Sequence, residues 1–241
     1  MINPGRIKHD FLEKGFAVIE NVYSDTDIAS ISKAIETADT ANSTYRKSAE
    51  LFAIRQFLKE LPDVSSHIFV ERLNTIISTL FGNKYFVVKS IYFDKPGTSN
   101  WFVAYHQDLT ISVNRKADVA GFGPWSVKQN QYAVQPPLDI LETNFTARIH
   151  LDDTDEHNGA LRVIPKSHLK GIYRPETIDW ATEQEVICNV PKGGIMLMRP
   201  LLLHASSRTT NNKQRRVIHI EFSNQVLPDP LAWSELLPIY D

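Results

Sequence analysis

Apolar positions change their spacing part-way along the chain. In the first third they recur at helical intervals: after Ser24, whose hydroxyl suits an N-cap, Ile28, Ile31, Ile35 and Ala38 fall on one face with polar residues between them. A second helix is expected from about Asp63 to Leu80, with Ile68, Leu73, Ile76, Ile77 and Leu80 facing inward and Gly82 as its stop. Residues 1–83 therefore read as a mainly helical buttress.

From Lys84 onward the pattern becomes short β segments divided by Pro, Gly, Asn and Asp. The run Tyr85 to Phe93 is rich in aromatic and β-branched residues and meets a turn signal at Asp94-Lys95-Pro96-Gly97. Further strands are expected at Thr143 to Leu151, Ala160 to Ile164, Glu185 to Val190, Gly194 to Arg199 and Arg216 to Phe222. Helices followed by many short strands give an α+β class with a mainly β core, an antiparallel barrel or double-sheet jelly roll over 84–225, and a C-terminal tail over 226–241. Leu109 to Pro137 has weak periodicity and holds Gly121, Gly123, Pro124, Pro136 and Pro137, which suggests a lid or binding loop.

Composition narrows the function classes. A chain of 241 residues that is 42% hydrophobic can bury one sizeable core, so a single domain is expected. With 26 basic against 28 acidic residues there is no electrostatic footprint for nucleic acid or an anionic membrane, which leaves small molecules as the expected partners. Cys188 is the sole cysteine, so no internal disulfide forms and a reducing compartment is favoured. No signal peptide or membrane-length apolar run is visible, and a cytoplasmic protein is expected.

Two His-X-Asp pairs carry candidate chemistry. On an extended strand, residues two apart project to the same side, so His106 and Asp108 can reach one metal ion, and so can His150 and Asp152. The first pair leaves enough chain to build a barrel before a distal histidine; the second reads better as a strand-end hydrogen-bond network. His204, at the end of the apolar run Met196 to Leu203, is either a hydrogen-bonded core histidine or a third ligand. As a ligand it completes a two-histidine, one-carboxylate triad with open positions, the pattern of non-haem iron oxygenases. Arg215, eleven positions on, can bind a carboxylate bidentately near such a metal, and Arg216 points to the other face as a surface charge.

Several stretches together resemble the phytanoyl-CoA dioxygenase family, within the iron(II)- and 2-oxoglutarate-dependent oxygenases of double-stranded β-helix fold. They are Tyr92 to Lys95, Tyr105-His106-Gln107-Asp108, Ile149 to Asp153, Asn158-Gly159-Ala160-Leu161-Arg162-Val163-Ile164-Pro165-Lys166-Ser167-His168, and His204-Ala205-Ser206 followed by Arg215. The resemblance implies His106, Asp108 and His204 as catalytic iron ligands, with 2-oxoglutarate and dioxygen as co-substrates. It implies Arg215 and Ser206 at the far carboxylate of 2-oxoglutarate, and Ile91 packed beside it. Arg148 stands where relatives often carry Trp, as a second cationic contact or as a salt bridge to Asp152 or Glu142. Lys166 replaces the usual Gly in a turn, where His168 is expected to be structural or at the pocket edge. With Asp108 present, hydroxylation is expected rather than halogenation. A non-redox metallohydrolase using the same ligands, or a silent binding barrel, is the alternative. His157 is expected to be exposed, His219 to be structural, and Trp101, Phe102, Thr110, Trp125 and Tyr132 either to wall a pocket or to anchor loops.

Overall fold

The computed structural model describes residues 3–37, 45–47, 52–98, 101–128 and 131–239. Ala38 and the final residues of the expected tail, 240–241, lie outside them. In chain order the elements begin with α1 (Pro4–Lys14), β1 (Phe16–Ile19), α2 (Asp25–Glu36), β2 (Tyr45–Lys47), β3 (Phe52–Arg55), α3 (Phe57–Glu60), α4 (Ser65–Ile68) and α5 (Glu71–Phe81). There follow β4 (Phe86–Lys95), β5 (Val103–His106), β6 (Ile111–Val113), β7 (Trp125–Lys128), β8 (Gln131–Val134), α6 (Leu138–Thr143) and β9 (Phe145–His150). The chain ends with β10 (Leu161–Val163), β11 (Val186–Cys188), β12 (Ile195–Met198), β13 (His204–Ser206), β14 (Arg215–Ser223) and β15 (Leu237–Pro238).

Local chemistry explains the helix ends. Ser24 caps α2 in a reciprocal box, with Asp27 N–H donating to Ser24 Oγ at 3.2 Å and Ser24 N–H donating to Asp27 Oδ2 at 2.8 Å. Gly15 closes α1 in the left-handed region at φ 88°, and its amide donates to Phe11 O at 3.1 Å. The helix expected from Asp63 to Leu80 is broken. A 3-10 turn at Pro62–Val64 leads into α4, then Phe69 and Val70 leave helical geometry (ψ 53° and 153°) before α5 begins and runs to its stop at Gly82.

Among the described residues an eight-stranded antiparallel sheet runs β1-β12-β9-β14-β4-β3-β2, with β15 added on β4, and a four-stranded sheet runs β11-β10-β13-β5. This is the double-stranded β-helix. Three of the large sheet's strands come from the region expected to be helical: β1 pairs Phe16 with Met198, and β3 pairs Phe52 with Asp94. Such four-residue strands carry too little alternation to stand out in sequence, and pairing stabilises them.

Period two then sorts the large sheet. Phe145, Ala147 and Ile149 of β9, with Ile218, Ile220 and Phe222 of β14, join Phe11, Leu73 and Ile77 of the helices in one core. Phe145 stacks between Phe81 (centroids 3.8 Å apart) and Phe222 (4.7 Å), which ties α5 to the sheet. The alternate residues, Thr146, Arg148 and His150 on β9 and Arg215, His219 and Glu221 on β14, are polar yet buried. A sheet that buries polar groups on one face is enclosing a site there.

The expected 109–137 loop is instead structured: β6, β8 and β7 form a three-stranded sheet, and its apolar side chains pack with Leu201, Leu227, Leu231 and Trp233. Its strands pair with one another inside the segment, but each is only three or four residues long, too short for alternation to stand out among the glycines and prolines. No described helix is long and apolar enough to cross a membrane.

Candidate metal centre

The two sheets bring the predicted triad together. β13 pairs antiparallel with β5 so that His204 stands opposite His106, with ring centroids 4.2 Å apart. β5 ends at His106, and the chain then turns: Asp108 N–H donates to Pro200 O at 2.9 Å. Gln107 pins that turn by donating from its amide to Gly171 O (2.9 Å) and Leu201 O (2.6 Å) and accepting from Tyr173 N–H (2.9 Å). The His-X-Asp pair thus straddles a strand end, where the sequence reading had both residues on one strand.

Nδ1–H of His106 donates to Ala104 O at 2.9 Å, and that of His204 to Leu202 O at 2.8 Å. These bonds fix the tautomer and leave both Nε2 lone pairs free. His106 Nε2 lies 4.0 Å from Asp108 Oδ1, and His204 Nε2 lies 3.9 Å from Asp108 Oδ2. Both separations are too long for hydrogen bonds, and Asp108 Oδ2 is buried with no partner. A divalent ion bound at about 2.1 Å spans ligands up to about 4.2 Å apart, so these side chains fit one ion. Burial pushes the Asp108 carboxyl up, but His204, His219, Lys89 and His106 around it hold it well below the usual carboxylate range. Burial lowers His204 to about 4 despite the Asp108 charge, so its imidazole is neutral at pH 7, as a ligand requires.

Ile91, Arg148, Ser206 and Arg215 line the same cavity of about 360 Å³ as the three candidate ligands. The Arg215 fork donates to the carbonyl of Gly159, a residue at φ 89° whose added Cβ would meet Ser207 O at 2.8 Å. Of the expected aromatic wall only Trp101 reaches the cavity. Phe102 is exposed beneath Arg208, at 4.5 Å, and Trp125 and Tyr132 pack on the three-stranded sheet's core. A larger hollow of about 760 Å³ beside Arg6 and Arg72 gathers none of the predicted site residues.

The second pair goes elsewhere. His150 Nδ1 bonds Thr154 Oγ1 at 2.8 Å, while Asp152 grips Arg216 through Nε at 3.0 Å and NH2 at 2.7 Å. Arg216 is accordingly half-buried and paired rather than a free surface charge. Arg148 pairs with neither Asp152 nor Glu142; it donates to His219 Nδ1 at 3.1 Å. His168 bonds Leu12 O at 3.0 Å beside Gly15, away from the cavity, and Lys166 before it takes φ 68°. His157 is exposed, as expected.

Lys89 and Glu221 are not among the candidates read from the sequence, and His219 is read there as structural, without a supporting partner. Lys89 Nζ donates to Glu221 at 2.7 Å, and His219 Nε2–H donates to the same carboxylate at 3.1 Å. The available signal was a lysine inside the apolar run Phe86-Val87-Val88-Lys89 and a glutamate inside Ile220-Glu221-Phe222.

The model of the phytanoyl-CoA dioxygenase (PhyH) family matches residues 11–217. The chain belongs to that family. PhyH-family proteins are oxygenases that use iron(II), 2-oxoglutarate and dioxygen. No curated protein matches this PhyH-family chain by sequence. Among solved structures it is similar to EctD from S. alaskensis with bound Fe, at 18% identity and TM-score 0.71, over 95% of this chain and 80% of that one. It is also similar to the non-heme alpha ketoglutarate dependent carbocyclase SnoK from nogalamycin biosynthesis, at 17% identity and TM-score 0.65, over 90% and 83%. The epimerase SnoN from the same biosynthesis aligns at 14% identity and TM-score 0.64, over 98% and 86%. At these identities the likeness shows the shared PhyH fold.

Proposed function

We propose that the chain is an iron(II)- and 2-oxoglutarate-dependent dioxygenase that hydroxylates a small molecule. His106, Asp108 and His204 hold the iron, and Arg215 and Ser206 bind the far carboxylate of 2-oxoglutarate against Ile91. One observation carries this reading: a carboxylate with a buried, unpartnered oxygen stands within 4.0 Å of two imidazole Nε2 atoms, in the same cavity as a buried guanidinium. A metallohydrolase or a closed structural site has no use for that guanidinium.

Iron(II), when bound, supplies the redox chemistry that couples decarboxylation of 2-oxoglutarate to succinate and carbon dioxide with oxidation of a substrate C–H bond. The chain's own residues position and exclude. Ala104 O and Leu202 O orient the two imidazoles, and Gln107 fixes the turn that carries Asp108. Arg215 presents a fork complementary to a carboxylate. Ile91 and Leu161 give the cavity a dry wall. Asp108 supplies a carboxylate ligand where a halogenase needs a halide, which supports hydroxylation. The same proposal takes residues 1–241 as one oxygenase domain, with a helical buttress, a β core and a tail. It places the chain in the cytoplasm on the strength of the free, buried Cys188 thiol.

The test is anaerobic addition of iron(II) and 2-oxoglutarate, read as a weak visible charge-transfer band, followed by succinate release in air. Absence of the band from folded protein, or its persistence in His106→Ala, refutes the assignment.

A further inference from the structure

Two guanidiniums line one cavity. Arg148 and Arg215 are 7% and 4% exposed, and among the described residues neither forms an ion pair. Each fork has one bond in place, Arg148 to His219 Nδ1 and Arg215 to Gly159 O, and each keeps a buried Nε–H without a partner. Burial lowers Arg148 to about 10, and burial together with the Arg148 charge lowers Arg215 to about 9. An unpaired buried charge is strongly unfavourable, and two of them repel. One carboxylate bound at Arg215 leaves Arg148 with no hydrogen-bonded counter-charge, only the through-space charge of Asp108; a ligand with two carboxylates pairs both forks.

Arg148 is also held in place. Because a guanidinium only donates, His219 accepts at Nδ1 and so donates from Nε2 to Glu221, which Lys89 grips in turn. The register sets this line: Lys89 stands opposite Glu221 between β4 and β14, and His219 stands opposite Arg148 between β14 and β9. Three side chains on two adjacent strands aim the Arg148 fork from β9, which is the arrangement of a binding group rather than of a stray charge. The Asp108 charge reaches Arg148 through space, yet no hydrogen bond joins them.

We propose that Arg148 is a second carboxylate-binding residue, so that Arg148 and Arg215 each take one carboxylate of 2-oxoglutarate. This inference rests on the function proposed above. Titration calorimetry of 2-oxoglutarate into Mn(II)-loaded protein tests it without turnover. Arg148→Gln is expected to raise the dissociation constant for 2-oxoglutarate by about tenfold or more while Mn(II) affinity stays within about twofold. Arg148→Lys, which keeps the charge but loses the fork, is expected to fall between the two and serves if the glutamine variant does not fold. Wild-type affinity for 2-oxoglutarate in the folded variants overturns the role of Arg148 alone. Equal losses of Mn(II) and 2-oxoglutarate affinity overturn it too, by marking Arg148 as structural. A wild-type protein that binds Mn(II) but no 2-oxoglutarate overturns the proposed function itself, and this inference with it.

Discussion

Asp152 holds Arg216 through two side-chain bonds, of 2.7 and 3.0 Å, and a third, of 2.8 Å, from the Arg216 amide. That grip occupies both Asp152 oxygens, and among the described residues neither His150 nor Asp152 belongs to a cluster that could hold a metal ion. Asp152→Ala is therefore expected to cost about 1–3 kcal/mol of stability, by leaving a half-buried guanidinium unpaired, with Mn(II) affinity unchanged. Asp108→Ala is expected to do the reverse, weakening Mn(II) binding by about 100-fold, or about 2.8 kcal/mol. Urea unfolding and metal titration on both variants check the contrast.

Arg215 faces the cavity from β14 with its fork partly open. Arg215→Gln is expected to raise the dissociation constant for 2-oxoglutarate by about 10- to 100-fold and to leave Mn(II) affinity nearly intact. Parallel loss of both affinities would show that the residue only supports the fold.

Lys166 occupies the left-handed region at φ 68°, where a Cβ costs about 1–2 kcal/mol in residues other than glycine. Lys166→Gly is expected to stabilise the protein by about 0.5–1 kcal/mol once the extra freedom of glycine in the unfolded chain is counted. A lower unfolding midpoint in urea would mean that the lysine side chain contributes more than the strain costs.

Phe145 links α5 to β14 through its two stacked neighbours. Phe145→Ala is expected to cost about 3–5 kcal/mol, the range for an aromatic removed from a packed core. A loss below about 1 kcal/mol on chemical unfolding would show that the helices collapse to fill the space.

Burial raises the Cys188 thiol from its ordinary 9.0 to about 12, with the Arg148 charge only partly opposing it. The folded protein favours the protonated thiol, so this contribution is complete below about pH 9 and is lost as pH rises towards 12. Stability of the native protein relative to Cys188→Ala should therefore decline between pH 9 and 11, and the native thiol should resist alkylation at pH 8. Rapid labelling of folded protein at pH 8 would contradict the burial.

The sequence by itself determined the local elements and the candidate chemistry. Ser24 caps its helix, Gly82 stops another, and the alternation in β9 and β14 marks strands, because these signals lie within a few residues of where they act. It also supplied His106, Asp108, His204 and Arg215 as candidates. Chain context and the family resemblance already favoured Asp108 over Asp152, and the tertiary structure supplies the physical reason one carboxylate stays free. Asp108 and Asp152 stand in the same local pattern, and a distant partner, Arg216, takes one of them. Long-range pairing likewise recruited β1 and β3 to the large sheet, and packing against Leu201, Leu227, Leu231 and Trp233 covered the short local sheet of 109–137. Long-range pairing also aligned Lys89, Glu221, His219 and Arg148 across three strands. Period two tells which face a residue occupies but not what stands across from it; that depends on register between segments far apart in the chain.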